Sequence, residues 1–330
     1  MKKLISKLTA ISSPSGREEQ IRAFIKEEIK NYCDELREDK LGNLIAIKHG
    51  GNTKIQFAAH MDEIGMIITD IDENGFLRFS NVGGISPHRL YGQRVRFQNG
   101  MVGVFGAEKV EDIKKLTLNK LYIDIGASSE EEARSKISVG DIATFHHEFT
   151  DLGERVVAKS MDDRIGCAVL IEALKRVTNP QNDLYCTFTV QEEVGLRGAR
   201  TSAFGIEPDL GIALDVTATG DTPEAERLAV KLGKGAAIKV KDLSIITHSK
   251  VKDLLTELAK TNSIPYQFEV LPFGGTDAGA IHLTKAGVPA GVISIPCRYV
   301  HSPSEMVDLN DVEAAVRLVV AVMEKKIGWS

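Results

Sequence analysis

The sequence predicts an α/β fold, a mostly parallel sheet with helices on both faces, interrupted by an inserted small β-barrel-like domain. Three observations carry this. Apolar runs at Lys54 to Ala59, Leu184 to Val190, Leu210 to Leu214 and Gly291 to Ile295 have the length and content of buried parallel strands. Segments with helical periodicity alternate with such runs after Lys159, and that alternation builds a parallel sheet covered on both sides. Between about Gly65 and Ala158 the alternation stops, and short two-residue periodicities separated by turn signals take over. The expected division is a discontinuous main domain, residues 1–64 and 159–330, with residues 65–158 inserted.

The elements follow in order. The first 30 residues read as two helices, the second opened by Ser15-Gly16-Arg17-Glu18, a capping-box pattern, with Ile21, Phe24, Ile25 and Ile29 on its buried face. Leu36 to Lys48 reads as two strands about a Leu-Gly-Asn turn, and Lys54 to Ala59 starts the sheet core. The insertion supplies Met66 to Ile71, Phe76 to Ser80, Arg94 to Phe97, Met101 to Phe105, Leu121 to Ile125 and Ile142 to Phe145 as strands. Its turns are Glu73-Asn74-Gly75 and Gln98-Asn99-Gly100, and its one helix is Glu130 to Ile137.

Asp163 to Val177 is apolar almost all round, as in a helix covered on several sides. Strands Leu184 to Val190, Leu210 to Leu214 and Ala236 to Val240 precede helix Ser249 to Thr261 and strand Tyr266 to Leu271. Helix Asp277 to Ala286, strand Gly291 to Ile295 and a last helix, Asp308 to Lys326, close the chain.

Composition excludes several classes. The 330 residues are 43% hydrophobic and 26% charged, which suits a globular protein with a sizeable core. A net charge of -5 and no basic stripe argue against nucleic acid. No window has the roughly 18 uncharged apolar residues of a membrane span, and Met1 to Ile11 lacks a signal peptide's apolar core, so a cytoplasmic enzyme is expected. Cys33, Cys167, Cys186 and Cys297 form no C-x-x-C pair and read as reduced, structural thiols.

Chemistry gathers around strand ends. His60, Glu193, Asp215 and His301 each follow one of the four apolar runs, and in an open α/β sheet the carboxyl ends of parallel strands share one edge where ligands bind. Taken singly, each has a bland explanation. His60 in His60-Met61-Asp62 fits a structural strand-end histidine as well as a metal ligand whose tautomer Asp62 fixes. In Ser160-Met161-Asp162-Asp163-Arg164 one aspartate could simply cap the following helix. Glu192 and Glu193, side by side after a buried-looking strand, are a solvated turn unless a cation or shared proton relieves their repulsion. Asp277 fits a helix cap as well as a group that holds a free amine.

Together His60, Asp162, Glu193, Asp215 and His301 offer two imidazoles and three carboxylates, which suits a pair of zinc or cobalt ions better than magnesium or calcium. Asp162 could then bridge the ions while Glu192 stays free to act as a general base. Three carboxylates cancel three of four positive charges, leaving an electrophilic site able to bind one hydroxide.

The segments Ala59-His60-Met61-Asp62-Glu63-Ile64-Gly65, Met161-Asp162-Asp163-Arg164-Ile165-Gly166-Cys167, Thr189-Val190-Gln191-Glu192-Glu193-Val194-Gly195 and Ser294 to Pro303 resemble those of the co-catalytic dinuclear metallo-aminopeptidases. That family comprises the tetrahedral, dodecameric aminopeptidases, the deblocking aminopeptidases and the bacterial glutamyl aminopeptidases. The likeness covers nearly the whole chain, including Phe273-Gly274-Gly275-Thr276-Asp277-Ala278. It departs at Ala236 and Ala290, where relatives often have Pro and Thr, and around Ala107 to Lys115, where many have a proline-rich stretch.

The resemblance implies a zinc-exopeptidase-like catalytic domain and two divalent ions per subunit, zinc or cobalt. Asp162 would bridge, His60 and Asp215 would complete one site, and Glu193 and His301 the other. Glu192 would be the proton acceptor and Asp62 would orient His60. The activity implied is removal of N-terminal residues from short peptides through a bridging hydroxide. The insertion would serve dimerisation within a homo-oligomer, up to a dodecamer built from dimers. A carboxypeptidase or deacylase with the same chemistry is the nearest rival, and an endoglucanase the next.

Overall fold

The structure, a computed structural model, describes residues 1–328 and has the predicted α/β architecture, with a closed barrel built from the inserted segment. Eleven strands form the large sheet. At its centre Asp183–Thr189, Lys54–His60, Leu210–Ala218 and Ala290–Arg298 run side by side in parallel. Leu44–Lys48 flanks them antiparallel on one side, and Ala236–Lys241 and Glu305–Asp308 pair antiparallel with Ala290–Arg298 on the other. Arg155–Ala158 then joins Glu305–Asp308.

Alternation along each central strand divides the sheet into two faces. Ile55, Phe57 and Ala59 join the largest core with Leu210, Ile212 and Leu214, against the helices Lys2–Ala10, Glu19–Ile29, Met161–Arg176, Ser249–Thr261 and Leu309–Met323. Ala58 points the other way, onto Ala199 and Ala203 of helix Arg197–Ile206 and Ile281 of the one-turn helix Ala278–Ile281. The helix Met161–Arg176 is buried around almost its whole circumference, because other helices cover the side facing away from the sheet. Ser249–Thr261 buries only Val251, Leu254, Leu255, Leu258 and Ala259, the one-sided stripe of a surface helix.

The barrel closes in the order Gly65–Ile71, Leu77–Val82, Leu121–Asp124, Val102–Ala107, Arg94–Phe97, Ile142–Phe145 and has its own core of Met66, Leu77, Val95, Phe97, Phe105, Ile123 and Phe145. Each strand is four to seven residues long, and in Arg94–Phe97 the alternation that marked it in the sequence is the inward and outward pleat, whereas Ile142–Phe145 is buried along its whole length. Among the described residues no helix is long and apolar enough to cross a membrane. The four cysteines are free thiols, three of them buried.

Two local expectations need correction. Ser15 and Glu18 do not form a capping box: the Ser15 hydroxyl donates to Asp62 at 2.6 Å, and Glu18 Oε1 accepts from Gly16 N and from Gln191 N. Both side chains face the sheet edge, where buried donors and acceptors outcompete a solvated cap. The helix expected over Asp277 to Ala286 is a single turn, and Asp277 makes no cap; its carboxylate accepts from Thr189 Oγ1 instead.

Candidate metal centre

The parallel strands deliver their side chains to one edge. His60 is the last residue of its strand, Glu193 and His301 stand in the loops just beyond theirs, and Asp215 lies inside Leu210–Ala218 rather than past its end. Asp162 arrives from the other direction, at the start of Met161–Arg176, where Asp162 and Asp163 have non-helical backbone angles. All five meet. Asp162 Oδ1 lies 3.0 Å from His60 Nε2 and its Oδ2 3.2 Å from His301 Nε2. Glu193 Oε2 is also 3.2 Å from His301 Nε2, and Asp215 Oδ1 is 4.0 Å from His60 Nε2.

Two groups of donors result, His60 with Asp162 and Asp215, and Asp162 with Glu193 and His301, and within each group the donor atoms lie within 4.8 Å of one another. The donor set fits divalent cations: imidazole nitrogens mixed with carboxylates suit zinc or cobalt. One atom points to the same need, since Glu193 Oε1 is buried without a hydrogen-bond partner.

The electrostatics are those of acids crowded out of water. Burial works against a charged His301, yet Glu193 and Asp162 outweigh it and push the imidazole up to about 12. Burial would likewise raise Asp162, but hydrogen bonds from His301 and His60 hold it well below the usual carboxylate range. Asp215 has no such relief: burial and the Asp162 charge carry it well above that range, against His60 and the buried Lys239. Glu192 is raised well above its ordinary value by burial, with His60 opposing and Asp215, Glu193 and Asp277 adding to the rise. Like charges at this density call for cations.

Main-chain amides around the site are held by buried carboxylates. Asp62, fully buried, accepts from Glu192 N at 3.0 Å and Glu193 N at 3.2 Å, with His60 Nδ1 3.5 Å from its Oδ1. Asp163 accepts from His60 N, and Glu305 from both Asp162 N and His301 N. The Lys239 ammonium near Asp215 is itself paired with Glu269 at 2.7 Å and Asp242 at 3.1 Å. Sequence reasoning missed Glu305, Lys239 and Glu18. A lone acid ahead of Met306 and Val307, or a lysine inside a strand, carries no local mark of what it will touch.

A cleft of about 850 Å³ opens onto the cluster. Asp162, Glu192, Glu193, Asp215 and His301 lie on its floor, Leu228, Leu271 and Phe273 on its walls, and Gly84 and Arg89 of the barrel at its rim. The barrel reaches the ligands directly: a Cβ on Gly84 would stand 2.9 Å from His301 Nδ1, and one on Gly83 3.2 Å from Glu193 Oε2.

The chain is similar to known proteins over nearly its whole length. A family model described as M42 glutamyl aminopeptidase matches residues 42–318. A relative from Acetivibrio thermocellus, named only provisionally as an aminopeptidase, is 55% identical over 318 residues, 96% of each chain. Among solved structures, aminopeptidase APDkam598 from the archaeon Desulfurococcus kamchatkensis is 44% identical with a TM-score of 0.94, the match covering 98% of this chain and 94% of that one. The TET1 peptidase of Pyrococcus horikoshii, which can assemble into a tetrahedron or a large octahedral shell, is 38% identical with a TM-score of 0.89, covering 97% and 98%.

Proposed function

The chain belongs to the M42 glutamyl aminopeptidase family, and from that membership we propose a metal-dependent aminopeptidase in which His60, Asp162 and Asp215 hold one divalent ion and Asp162, Glu193 and His301 a second. The observation that carries the reading is Asp162, which turns one carboxylate oxygen to each histidine and so belongs to both groups. Zinc or cobalt suits these donors. When bound, such ions supply Lewis-acid polarisation of a scissile carbonyl and make water easier to deprotonate.

The chain's own groups do the rest. Nδ1 of His60 faces the Asp62 main-chain carbonyl at 3.2 Å and the Asp62 carboxylate at 3.5 Å, which together keep the proton on that nitrogen and leave Nε2 free to act as a ligand. Glu192, at the cleft floor with Oε2 4.0 Å from His60 Nε2, accepts the proton of the attacking water and returns it to the leaving amine. Its burial supports this role, because a carboxylate withdrawn from water is a stronger base toward the proton of the attacking water. The apolar walls, Leu228, Leu271 and Phe273, exclude water from the end of a short peptide.

We place the enzyme in the cytoplasm as a homo-oligomer, with residues 65–158 as the dimerisation domain and a dodecamer built from dimers as the assembly. The shells formed by the TET1 peptidase support this, as do Val102 and Val104, which leave apolar side chains exposed on a barrel strand. Light scattering gives the mass directly.

The deciding experiment uses stripped protein with cobalt, zinc or manganese added back, and a panel of aminoacyl chromogenic substrates beside N-acylated and C-terminal ones. Cleavage confined to free N-termini and abolished by chelation is expected. Preference for acylated or C-terminal substrates would turn the reading to a deacylase or carboxypeptidase. Glucan hydrolysis that survives chelation would favour a glycosidase, which needs no metal pair.

A further inference from the structure

We propose that Glu305 is a positioning residue for the Asp162, Glu193 and His301 group, and that it sets the affinity of that group for a divalent ion more than that of the group with His60 and Asp215, which shares only Asp162 with it. The inference rests on the two-ion reading above. Glu305 is 1% exposed and opens the strand Glu305–Asp308, whose antiparallel register sets it opposite Ala158, just upstream of Asp162. Its Oε2 accepts from Asp162 N at 3.0 Å and its Oε1 from His301 N at 2.7 Å. One carboxylate therefore ties together the backbones that carry two of the three ligands, from segments far apart in sequence.

The loop it ties needs an anchor. Tyr299 and His301 have φ of +62° and +59°, the left-handed region that residues other than glycine occupy at a cost. Glu305 holds the N–H of His301, while Arg89 Nη1, from the barrel, donates to the carbonyls of Val300 and His301. The other group is anchored elsewhere. His60 N donates to Asp163, and Asp215 sits inside the parallel ladder opposite Ser294. Releasing Glu305 frees His301 and loosens Asp162, but leaves His60 and Asp215 in place. A glutamine at 305 keeps the shape yet offers one acceptor oxygen for two N–H groups, so one of them loses its partner.

Stripped protein is titrated with cobalt(II) by calorimetry and by visible absorption. Wild type should bind two equivalents. Glu305→Gln should bind one equivalent at nearly wild-type affinity, since His60 and Asp215 stay in place, and the second about 10–100-fold more weakly. Should that variant not fold, Glu305→Asp carries the same test, because its shorter side chain keeps the charge but cannot span both amides. Adding Glu305→Gln to His301→Ala should cost no further cobalt affinity, since both act on one group. Two equivalents at wild-type affinity in the variant, or equal weakening of both, would overturn the inference. Fewer than two equivalents in wild type would overturn the ligand assignment itself, and this inference with it.

Discussion

Replacing Asp62 by asparagine isolates one charge at the centre of the site. Asp62 Oδ1 faces Glu192 N at 3.0 Å and His60 Nδ1 at 3.5 Å, while Oδ2 faces the Ser15 hydroxyl at 2.6 Å and Glu193 N at 3.2 Å. An asparagine must turn its NH₂ to one side or the other. Turned toward Glu192 N it meets two donors; turned toward Ser15 it meets a hydroxyl that can rotate to accept, and only Glu193 N loses its acceptor. The second orientation wins, and one buried N–H left unpaired costs about 1–3 kcal/mol. His60 keeps the Asp62 main-chain carbonyl 3.2 Å from Nδ1 but loses the negative charge beside that proton, which should weaken zinc binding about 10–100-fold.

The variant should therefore be destabilised twice in the presence of zinc and once without it. Since tenfold in affinity is about 1.4 kcal/mol, the extra loss with zinc is about 1.4–2.8 kcal/mol. Urea unfolding in EDTA and in a zinc buffer separates the two losses, and competition with a chelator reads the affinity directly. Zinc affinity within twofold of wild type would refute the claim that Asp62 works through His60.

Other expectations follow from the same geometry. Glu192→Gln should lower kcat by about 10²–10⁴ while stripped protein still takes up its full complement of metal, measured by turnover and by elemental analysis. Phe57→Ala, at a fully buried position in the largest core, should cost about 3–5 kcal/mol in urea unfolding with little change in metal stoichiometry. Gly198→Ala should lower both stability and activity, because a Cβ there runs into Asn43 and Val190, and Asn43 holds the strand end by accepting from Val190 N and donating to Gly198 O. Burial would raise Asp221, but the Arg298 guanidinium and further hydrogen bonds hold it at about 2, against an ordinary 3.8. Its carboxylate thus contributes stability that is present above pH 4 and lost as pH falls toward 2. In metal-free protein, Arg298→Met should flatten the fall of the urea midpoint across that window.

What the sequence made legible is what depends on short-range pattern. A period-two run marked the barrel strand Arg94–Phe97, and the 3.6-residue stripe marked Ser249–Thr261 with its observed bounds. Four of the five candidate donors were legible because strand ends in an open sheet share an edge, while the fifth, Asp162, stands at a helix start. The groups that hold them were not. Ser15 and Glu18 carried the spacing of a capping box, and Asp277 stood where a cap would stand, yet all three turn inward to Asp62, Gln191 and Thr189. Local spacing cannot tell a solvated cap from a buried clasp, since the difference lies in which distant segment comes to rest against it. Glu305 had no pattern at all, because its two partners belong to separate loops brought together only by the pairing of Arg155–Ala158 with Glu305–Asp308.

The contact of Gly83, Gly84 and Arg89 with Glu193 and His301 bears on how such a protein can be re-engineered. A barrel joined to a catalytic lobe invites treatment as a cassette, to be deleted for a smaller enzyme or exchanged for a different assembly. Here two glycines without side chains make room for Glu193 and His301, and an arginine braces the loop that presents His301. Excision would open the rim of the cleft to bulk water, and a transplanted barrel with bulkier residues at those two positions would press on Glu193 and His301. Any redesign of the barrel in this molecule is therefore also a redesign of the cleft, through the same three residues.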